Sequence, residues 1–91
     1  MNPDTKAGID RYVKDGVPPG DFLRAVLSNN LSESFGLADL ENRRDMFEIV
    51  SYLYNKVPMD VWGSLEKVQA HLDMKRRLRE IKVEEDFNSS T

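Results

Sequence analysis

The stretch that decides the fold is residues 17–27, which read Val-Pro-Pro-Gly-Asp-Phe-Leu-Arg-Ala-Val-Leu. Pro18 and Pro19 fix the backbone angle φ and lack an N–H donor, so a helix cannot run through them from the N-terminal side. A helix can begin at them, because the N–H groups of a first helical turn have no helical partner in any case. The stretch therefore predicts a rigid turn that leads into the central helix of the chain. The apolar residues that share one face of this helix are Phe22, Leu23, Val26 and Leu27.

The length and composition are those of one small globular domain. The chain has 91 residues, of which 40% are hydrophobic and 32% are charged, and its net charge is −3. This charge produces no field that draws the chain to nucleic acid or to anionic lipid. With no cysteine and a single histidine, we expect no metal, no cofactor and a reducing, cytoplasmic setting. The N-terminus lacks a signal-peptide pattern, and no apolar run is long enough to span a membrane.

The spacing of apolar, proline, glycine and capping residues predicts helices along most of the chain. They cover about residues 3–15, 19–28, 31–38, 39–56 and 65–85, and a polar tail over residues 86–91 is expected to be frayed. No segment alternates with period two for long enough to predict a strand. The predicted fold class is therefore all-α, with a single compact domain over residues 1–85 that has four to five helices and a long C-terminal helix.

The predicted fourth helix has an apolar face too wide for a lone surface helix. We expect it to lie against the second helix, with Trp62 folded back over the core. The members of this face are Met46, Phe47, Ile49, Val50, Leu53 and Tyr54.

The last helix carries two apolar stripes that one small core cannot bury together. The first stripe, Leu65, Val68 and Leu72, continues along the same face as Lys75, Arg76 and Arg79. The second, on roughly the opposite side, consists of Ala70, Met74, Leu78 and Ile81. Either the helix bends near Asp73, or the second stripe packs on another chain. We favour the latter and predict a homo-oligomer whose interface includes Met74, Leu78 and Ile81.

A first candidate ligand site is the beginning of the predicted fourth helix. Asp39, Asn42 and Arg43 share a face with Met46 and Val50 and extend a buried stripe with polar groups, which need partners. In one interpretation Arg43, helped by Asn42, meets an anionic ligand near the helix N-terminus. In the other interpretation Arg43 pairs with Asp39 or caps the C-terminus of the second or third helix.

A second candidate ligand site is the start of the second helix. After Pro19, the backbone N–H groups around Gly20, Asp21 and Phe22 suit an anion, although the Asp21 carboxylate competes for the same positive helix end. Tyr12 and Phe22, which flank the turn in sequence, could stack on a base or ring. The alternative is a rigid turn that sets the angle between two helices, with both aromatic residues in the core.

A third candidate is the basic run of residues 75–79 together with Lys82. It could contact nucleic-acid phosphates. The acidic residues around it favour a solvated or intersubunit salt-bridge face instead, so nucleic acid is disfavoured as a partner. His71, beside this run, needs no role beyond solubility or packing. No nucleophile–base pair and no metal cluster is visible, so an enzyme is not predicted.

Several short segments between about residues 9 and 70 form a specific combined pattern. They are Arg11-Tyr12-Val13, Gly16 to Gly20, Phe22-Leu23, Ala25 to Leu27, Asn29 to Leu31, Ala38-Asp39, Glu41 to Arg43, Tyr52 to Asn55, Pro58, Trp62 to Ser64 and Glu66 to Val68. In this pattern the chain resembles a family of small phage and prophage proteins of unassigned function, with Asn29-Asn30 where the family has Asn-Asp and Ser64-Leu65 where it has Ser-Pro. The resemblance implies a phage accessory protein in the bacterial cytoplasm.

Three functions remain open for such a protein, and all act by binding. The first is an anti-defence protein that sequesters a nucleotide-derived signal of the host, using Tyr12, the Pro-Pro-Gly turn, Asn42 and Arg43. The second is an inhibitor or adaptor that binds a host defence protein through the second stripe of the last helix. The third is a nucleic-acid-binding regulator, which the negative net charge disfavours.

Overall fold

The computed structural model describes the backbone of residues 1–89 and the side chains of residues 1–82, and this part of the chain forms six α-helices and one 3₁₀ turn. No β-strand occurs within the described backbone, and the all-α class with a long C-terminal helix is confirmed. The helices are α1 (Pro3–Asp15), α2 (Asp21–Leu27), α3 (Leu31–Leu37), α4 (Leu40–Arg44), α5 (Met46–Lys56) and α6 (Leu65–Ser89), with the 3₁₀ turn (Met59–Val61) between α5 and α6.

The turn between α1 and α2 is built as the prolines require. Helix α1 ends at Asp15, and its C-cap Gly16 takes the left-handed conformation (φ 66°) and donates its N–H to the Tyr12 carbonyl at 3.0 Å. Helix α2 begins at Asp21, later than expected, because the backbone of Gly20 is extended (ψ 173°). Both prolines therefore belong to the connection between α1 and α2 and precede the first helical residue of α2.

A single core joins the helices. Trp62 is buried in it, as expected, and donates its Nε1–H to the Val57 carbonyl at 3.3 Å. The backbone N–H of Gly63 donates to the Leu27 carbonyl at 2.7 Å, which ties the segment before α6 to the end of α2. The core residues are Ile9, Tyr12, Val26, Leu27, Ala38, Met46, Ile49, Leu53, Val57, Trp62 and Val68.

The predicted fourth helix is two helices separated by one residue. Asp45 departs from helical dihedrals (φ −91°, ψ 6°), although hydrogen bonds of helical spacing run through it from Asp45 N to Glu41 O and from Ile49 N to Asp45 O. The expected burial of its whole apolar face was wrong. Met46, Ile49 and Leu53 are buried, whereas Phe47 is 85% exposed and Tyr54 72% exposed, because the core lies along only one side of α5.

Helix α6 is one continuous helix. The face that carries its first apolar stripe continues to pack on the rest of the chain beyond the last apolar residue of the stripe. The face of Val68 continues through His71, Lys75 and Arg79, all of which meet the C-terminal end of α1. Lysine and arginine stems can cover apolar surface while their charged ends find other partners. The second stripe is left on the surface, with Met74, Leu78 and Ile81 each about half exposed.

The C-terminal bounds differ in part from the expectation. The backbone of α6 runs to Ser89, past Glu85. The expected frayed tail over residues 86–91 lies outside the residues whose side chains the structure describes. Within the described part of the chain, no helix is both long and apolar enough to cross a membrane.

Candidate functional site

The first predicted pocket, at α4, does not assemble around Arg43. Arg43 is exposed, and its Nε donates to the Phe35 carbonyl at 3.2 Å, so it caps the C-terminus of α3. Asp39 accepts a hydrogen bond from the backbone of Asn42 at 2.8 Å and caps the N-terminus of α4. The Asn42 side chain accepts a hydrogen bond from the Thr5 hydroxyl at 3.3 Å. Asn42 and Arg43 therefore hold helices in place, and the expectation that Arg43 extends a buried stripe was wrong.

In the second predicted site, at the start of α2, the ring of Tyr12 is not accessible to a ligand. Tyr12 is fully buried, its hydroxyl donates to the Val61 carbonyl at 2.7 Å, and its ring lies 4.8 Å from the His71 ring. Burial raises the pKa of the Tyr12 phenol to about 12. Tyr12 presents no face on which a ligand could stack, which corrects that expectation. Phe22 is half-buried against the core, while Gly20 remains exposed on the turn.

A different groove lies between the turn, α2 and α6, and three arginines line it. We call it the arginine groove; its volume is about 340 Å³. Arg24 comes from α2, whereas Arg76 and Arg79 come from the basic run of α6. Gly16 and Pro18 of the turn, together with Gln69, Leu72 and Asp73 of α6, complete the lining.

The guanidinium groups in the arginine groove keep most of their donors. Arg79 Nη1 donates to the Asp15 carbonyl at 2.8 Å, and Arg76 Nη2 donates to Asp73 at 3.3 Å. Arg24 forms no ion pair with any side chain within residues 1–82. Because a guanidinium has five N–H donors, each arginine retains donors for another partner. With Asp73 as the one carboxylate in the lining, the groove carries excess positive charge.

Sequence reasoning noticed the basic run but did not connect it to Arg24 or to the turn. The sequence did contain one indication, because Arg76 and Arg79 continue the apolar stripe of α6 along the same face. Basic residues in such a position can interact with the C-terminal end of a neighbouring helix. Arg24 lies outside the apolar face that the sequence predicts for α2, and only the tertiary structure places α6 beside it.

A surface network outside the groove joins α1 to α5. The Tyr52 hydroxyl donates to Asp10 Oδ1, and Lys6 lies 2.9 Å from Asp10 Oδ2. The bond from Tyr52, and after it the bond from Lys6, lowers the pKa of the Asp10 carboxyl, and the bond to Asp10 raises the pKa of Tyr52. These groups are one carboxylate with its two donors, an arrangement that stabilises the helix pair. Within the described residues, no three side chains of His, Cys, Asp or Glu are placed to hold a metal ion.

The outer side of α4 and α5 carries exposed apolar residues in a regular order. Leu40, Phe47 and Tyr54 are spaced seven residues apart, and Val50 lies between the last two. We call these four residues the α4–α5 seam. Leu40 is 82% exposed and Val50 is 37% exposed, so the seam is open along its length.

Comparison of the chain with models of known protein families, with curated protein sequences and with solved structures finds no match.

Proposed function

We propose that the protein acts by binding and sequesters a small, phosphate-bearing molecule derived from a nucleotide, which the arginine groove holds. The observation that carries this proposal is the convergence of Arg24, Arg76 and Arg79 on one groove. The resemblance to phage accessory proteins supports a role in the bacterial cytoplasm against a host defence that signals with such molecules. The protein is then an anti-defence protein that removes the signal without chemistry.

The chemistry of the lining favours phosphate over other anions. A guanidinium presents paired N–H donors that match two phosphate oxygens, and charge-assisted bonds of this kind are stronger than neutral ones. Leu72 and Pro18 supply apolar surface on which a sugar or base could lie, and Gln69 supplies a polar amide. The volume of about 340 Å³ lies in the range of small-molecule sites.

The same lining disfavours a long nucleic acid. Asp73 interrupts the positive surface of the groove, and the chain as a whole is negatively charged at −3. A net negative charge opposes the long-range attraction of a polyanion to the chain as a whole, whereas a small anion depends on the local lining of the groove.

The test is a calorimetric titration with a panel of linear and cyclic nucleotides, with inorganic triphosphate and a single-stranded RNA as further probes. Arg76→Gln removes a groove arginine, and Arg77→Gln is the matched control, because Arg77 has the same charge on the same helix but does not line the groove. Loss of a charge-assisted hydrogen bond should weaken nucleotide binding about tenfold in Arg76→Gln and leave Arg77→Gln within about twofold of the wild type. Arg24→Gln should behave like Arg76→Gln.

Several results would contradict the proposal. Equal loss in Arg76→Gln and Arg77→Gln would mean attraction by overall charge, and tighter binding of RNA than of any nucleotide would mean a nucleic-acid surface. Absence of binding to the whole panel, together with no nucleotide retained by protein purified from infected bacteria in native mass spectrometry, would also reject it.

We further propose that the protein is a homo-oligomer held by the second stripe of α6. Met74 is 47% exposed, Leu78 53% and Ile81 50%, and they lie on one side of a helix whose other side meets α1. A small domain can bury such a stripe against a second copy of itself, which gives both copies more core than either has alone.

A further inference from the structure

We propose that the nucleotide held by the arginine groove carries a guanine base, and that this base lies in a neighbouring cavity between α2, the start of α3 and the start of α6. The inference rests on the proposed function, because the arginine groove holds the phosphate groups of the same ligand. Three observations carry it: the arginine that the two spaces share, the carboxylates in the cavity, and a buried hydroxyl without a partner.

The cavity has a volume of about 200 Å³, and Arg24 lines both the cavity and the arginine groove. We call it the Asp21 cavity. Because one arginine lines both spaces, they adjoin each other. A ligand with its phosphate groups in the arginine groove therefore reaches the Asp21 cavity with the part attached to them, which in a nucleotide is the sugar with its base.

The two spaces differ in charge as the two ends of a nucleotide do. The charged residues of the arginine groove are three arginines and one aspartate, whereas those of the Asp21 cavity are Asp21, Glu33 and Arg24. Carboxylates repel a phosphate group but accept hydrogen bonds from N–H donors. The charges therefore orient the nucleotide, with its phosphate groups beside Arg76 and Arg79 and its base beside Asp21.

Asp21 is the carboxylate that is available to a base. It is exposed and forms no ion pair within residues 1–82. The Glu33 carboxylate already accepts a hydrogen bond from Asn30 Nδ2 at 2.8 Å, and Asn30 Oδ1 accepts one from the Glu33 backbone at 3.2 Å. Asn30 and Glu33 thus form a fixed polar wall, and Asp21 faces the ligand.

The pairing geometry of a carboxylate selects guanine among the common bases. Two carboxylate oxygens lie side by side and accept from two adjacent N–H donors, which makes a strong charge-assisted pair. Guanine presents two such donors together, at N1 and at the 2-amino group. Adenine and cytosine present an amino group beside an accepting ring nitrogen, and uracil presents one N–H between two carbonyl groups.

The rest of the lining suits the remainder of the base. Ser28 Oγ is buried and has no hydrogen-bond partner among the described side chains, which is unfavourable in the free protein. Rotation about χ1 turns this hydroxyl toward the cavity, where it can donate to the guanine carbonyl oxygen. Ala25 and Leu65 supply apolar surface for the face of the ring.

The test compares guanosine triphosphate with inosine triphosphate by calorimetric titration, because the two differ only in the 2-amino group. The wild type should bind guanosine triphosphate at least about tenfold more tightly, since inosine loses one charge-assisted hydrogen bond. Asp21→Asn should bring the two affinities within about twofold of each other, because the amide replaces one acceptor oxygen with a donor. Inorganic triphosphate should bind Asp21→Asn within about twofold of the wild type, because it occupies the arginine groove alone.

Asp60→Asn is the matched control. Asp60 is also an exposed aspartate, but it lines neither the Asp21 cavity nor the arginine groove. The variant removes the same charge and should keep the wild-type preference for guanosine over inosine triphosphate.

The same titrations can overturn the inference. Equal affinity of the wild type for guanosine and inosine triphosphate, tighter binding of adenosine triphosphate, or an unchanged preference in Asp21→Asn would each reject it. Loss of inorganic triphosphate binding in Asp21→Asn would give Asp21 a structural role and also reject it. If nucleotides of every base bind equally and Arg76→Gln weakens them all, this inference fails while the proposed function stands, whereas absence of binding by every nucleotide rejects both.

Discussion

At the scale of single residues, Gly16 decides how closely α6 approaches α1. Its left-handed conformation (φ 66°) is unfavourable for any residue with a Cβ. A Cβ on Gly16 would lie 2.3 Å from the Cβ of Lys75, which is a hard overlap with the base of a side chain. The predicted first helix, over about residues 3–15, ends just before Gly16, but the closeness of Gly16 to Lys75 depends on a residue far along the chain.

Gly16→Ala should therefore lower the free energy of unfolding by about 2–4 kcal/mol, from backbone strain together with overpacking against α6. Gly36→Ala is the control, because Gly36 lies within α3 and a Cβ there meets nothing within 4 Å. It should raise the free energy of unfolding by about 0.5–1 kcal/mol. Urea unfolding followed by circular dichroism measures both, and a neutral Gly16→Ala would show that α6 can move away without cost.

At the scale of helices, the C-terminus of α1 is satisfied by side chains from a helix far along the chain. The C-terminal carbonyls of α1 contact His71 Nε2 at 2.8 Å, from Tyr12, and Arg79 Nη1 at 2.8 Å, from Asp15. The positive charge of Arg79 at the C-terminus of α1 also suits the negative end of the helix dipole. This is why the first stripe of α6 can pass from apolar to basic residues without a bend. The sequence showed this change from apolar to basic residues and predicted either a bend near Asp73 or packing of the second stripe on another chain. In the structure, α1 contacts both the apolar and the basic residues of the first stripe.

The caps at α3 and α4 make a further prediction. Asp39 caps α4 and Arg43 caps α3, with no ion pair between them in the described side chains. Asp39→Ala should cost about 1 kcal/mol of stability and Arg43→Ala less than that, since Arg43 is exposed. The double variant should cost the sum of the two within about 0.5 kcal/mol in thermal melts. A double variant milder than either single one would instead reveal a coupled pair.

At the scale of the whole molecule, the fold leaves two apolar surfaces without a partner among residues 1–82, the α4–α5 seam and the second stripe of α6. A domain of this size has only a modest core, so apolar residues on the remaining helix sides have nothing to pack on within one copy. Exposed apolar patches of this kind mark interaction surfaces. We therefore propose binding for the arginine groove and for the second stripe of α6 alike.

Self-association through α6 is testable by replacing two residues of the second stripe. Leu78→Ser with Ile81→Ser should reduce the mass measured by light scattering to that of one chain and preserve the helical circular dichroism signal, because both residues are about half exposed. Leu65→Ser is the control, since Leu65 is 48% exposed on the same helix but outside that stripe. A wild type that is already monomeric would contradict the proposed oligomer.

The sequence by itself determined the helices and most of their ends. Pro18 and Pro19 exclude a continuous helix, Asn2 and Gly16 bound α1, and the absence of period-two alternation leaves only the all-α class, because these are local effects of dihedral angles and capping groups. Only the tertiary structure decided which side of each helix is covered. In the structure Tyr12 is buried, Phe47 is exposed and Arg24 lies beside α6. The physical reason is that burial depends on which distant helix packs alongside, and the periodicity of one helix does not identify that neighbour.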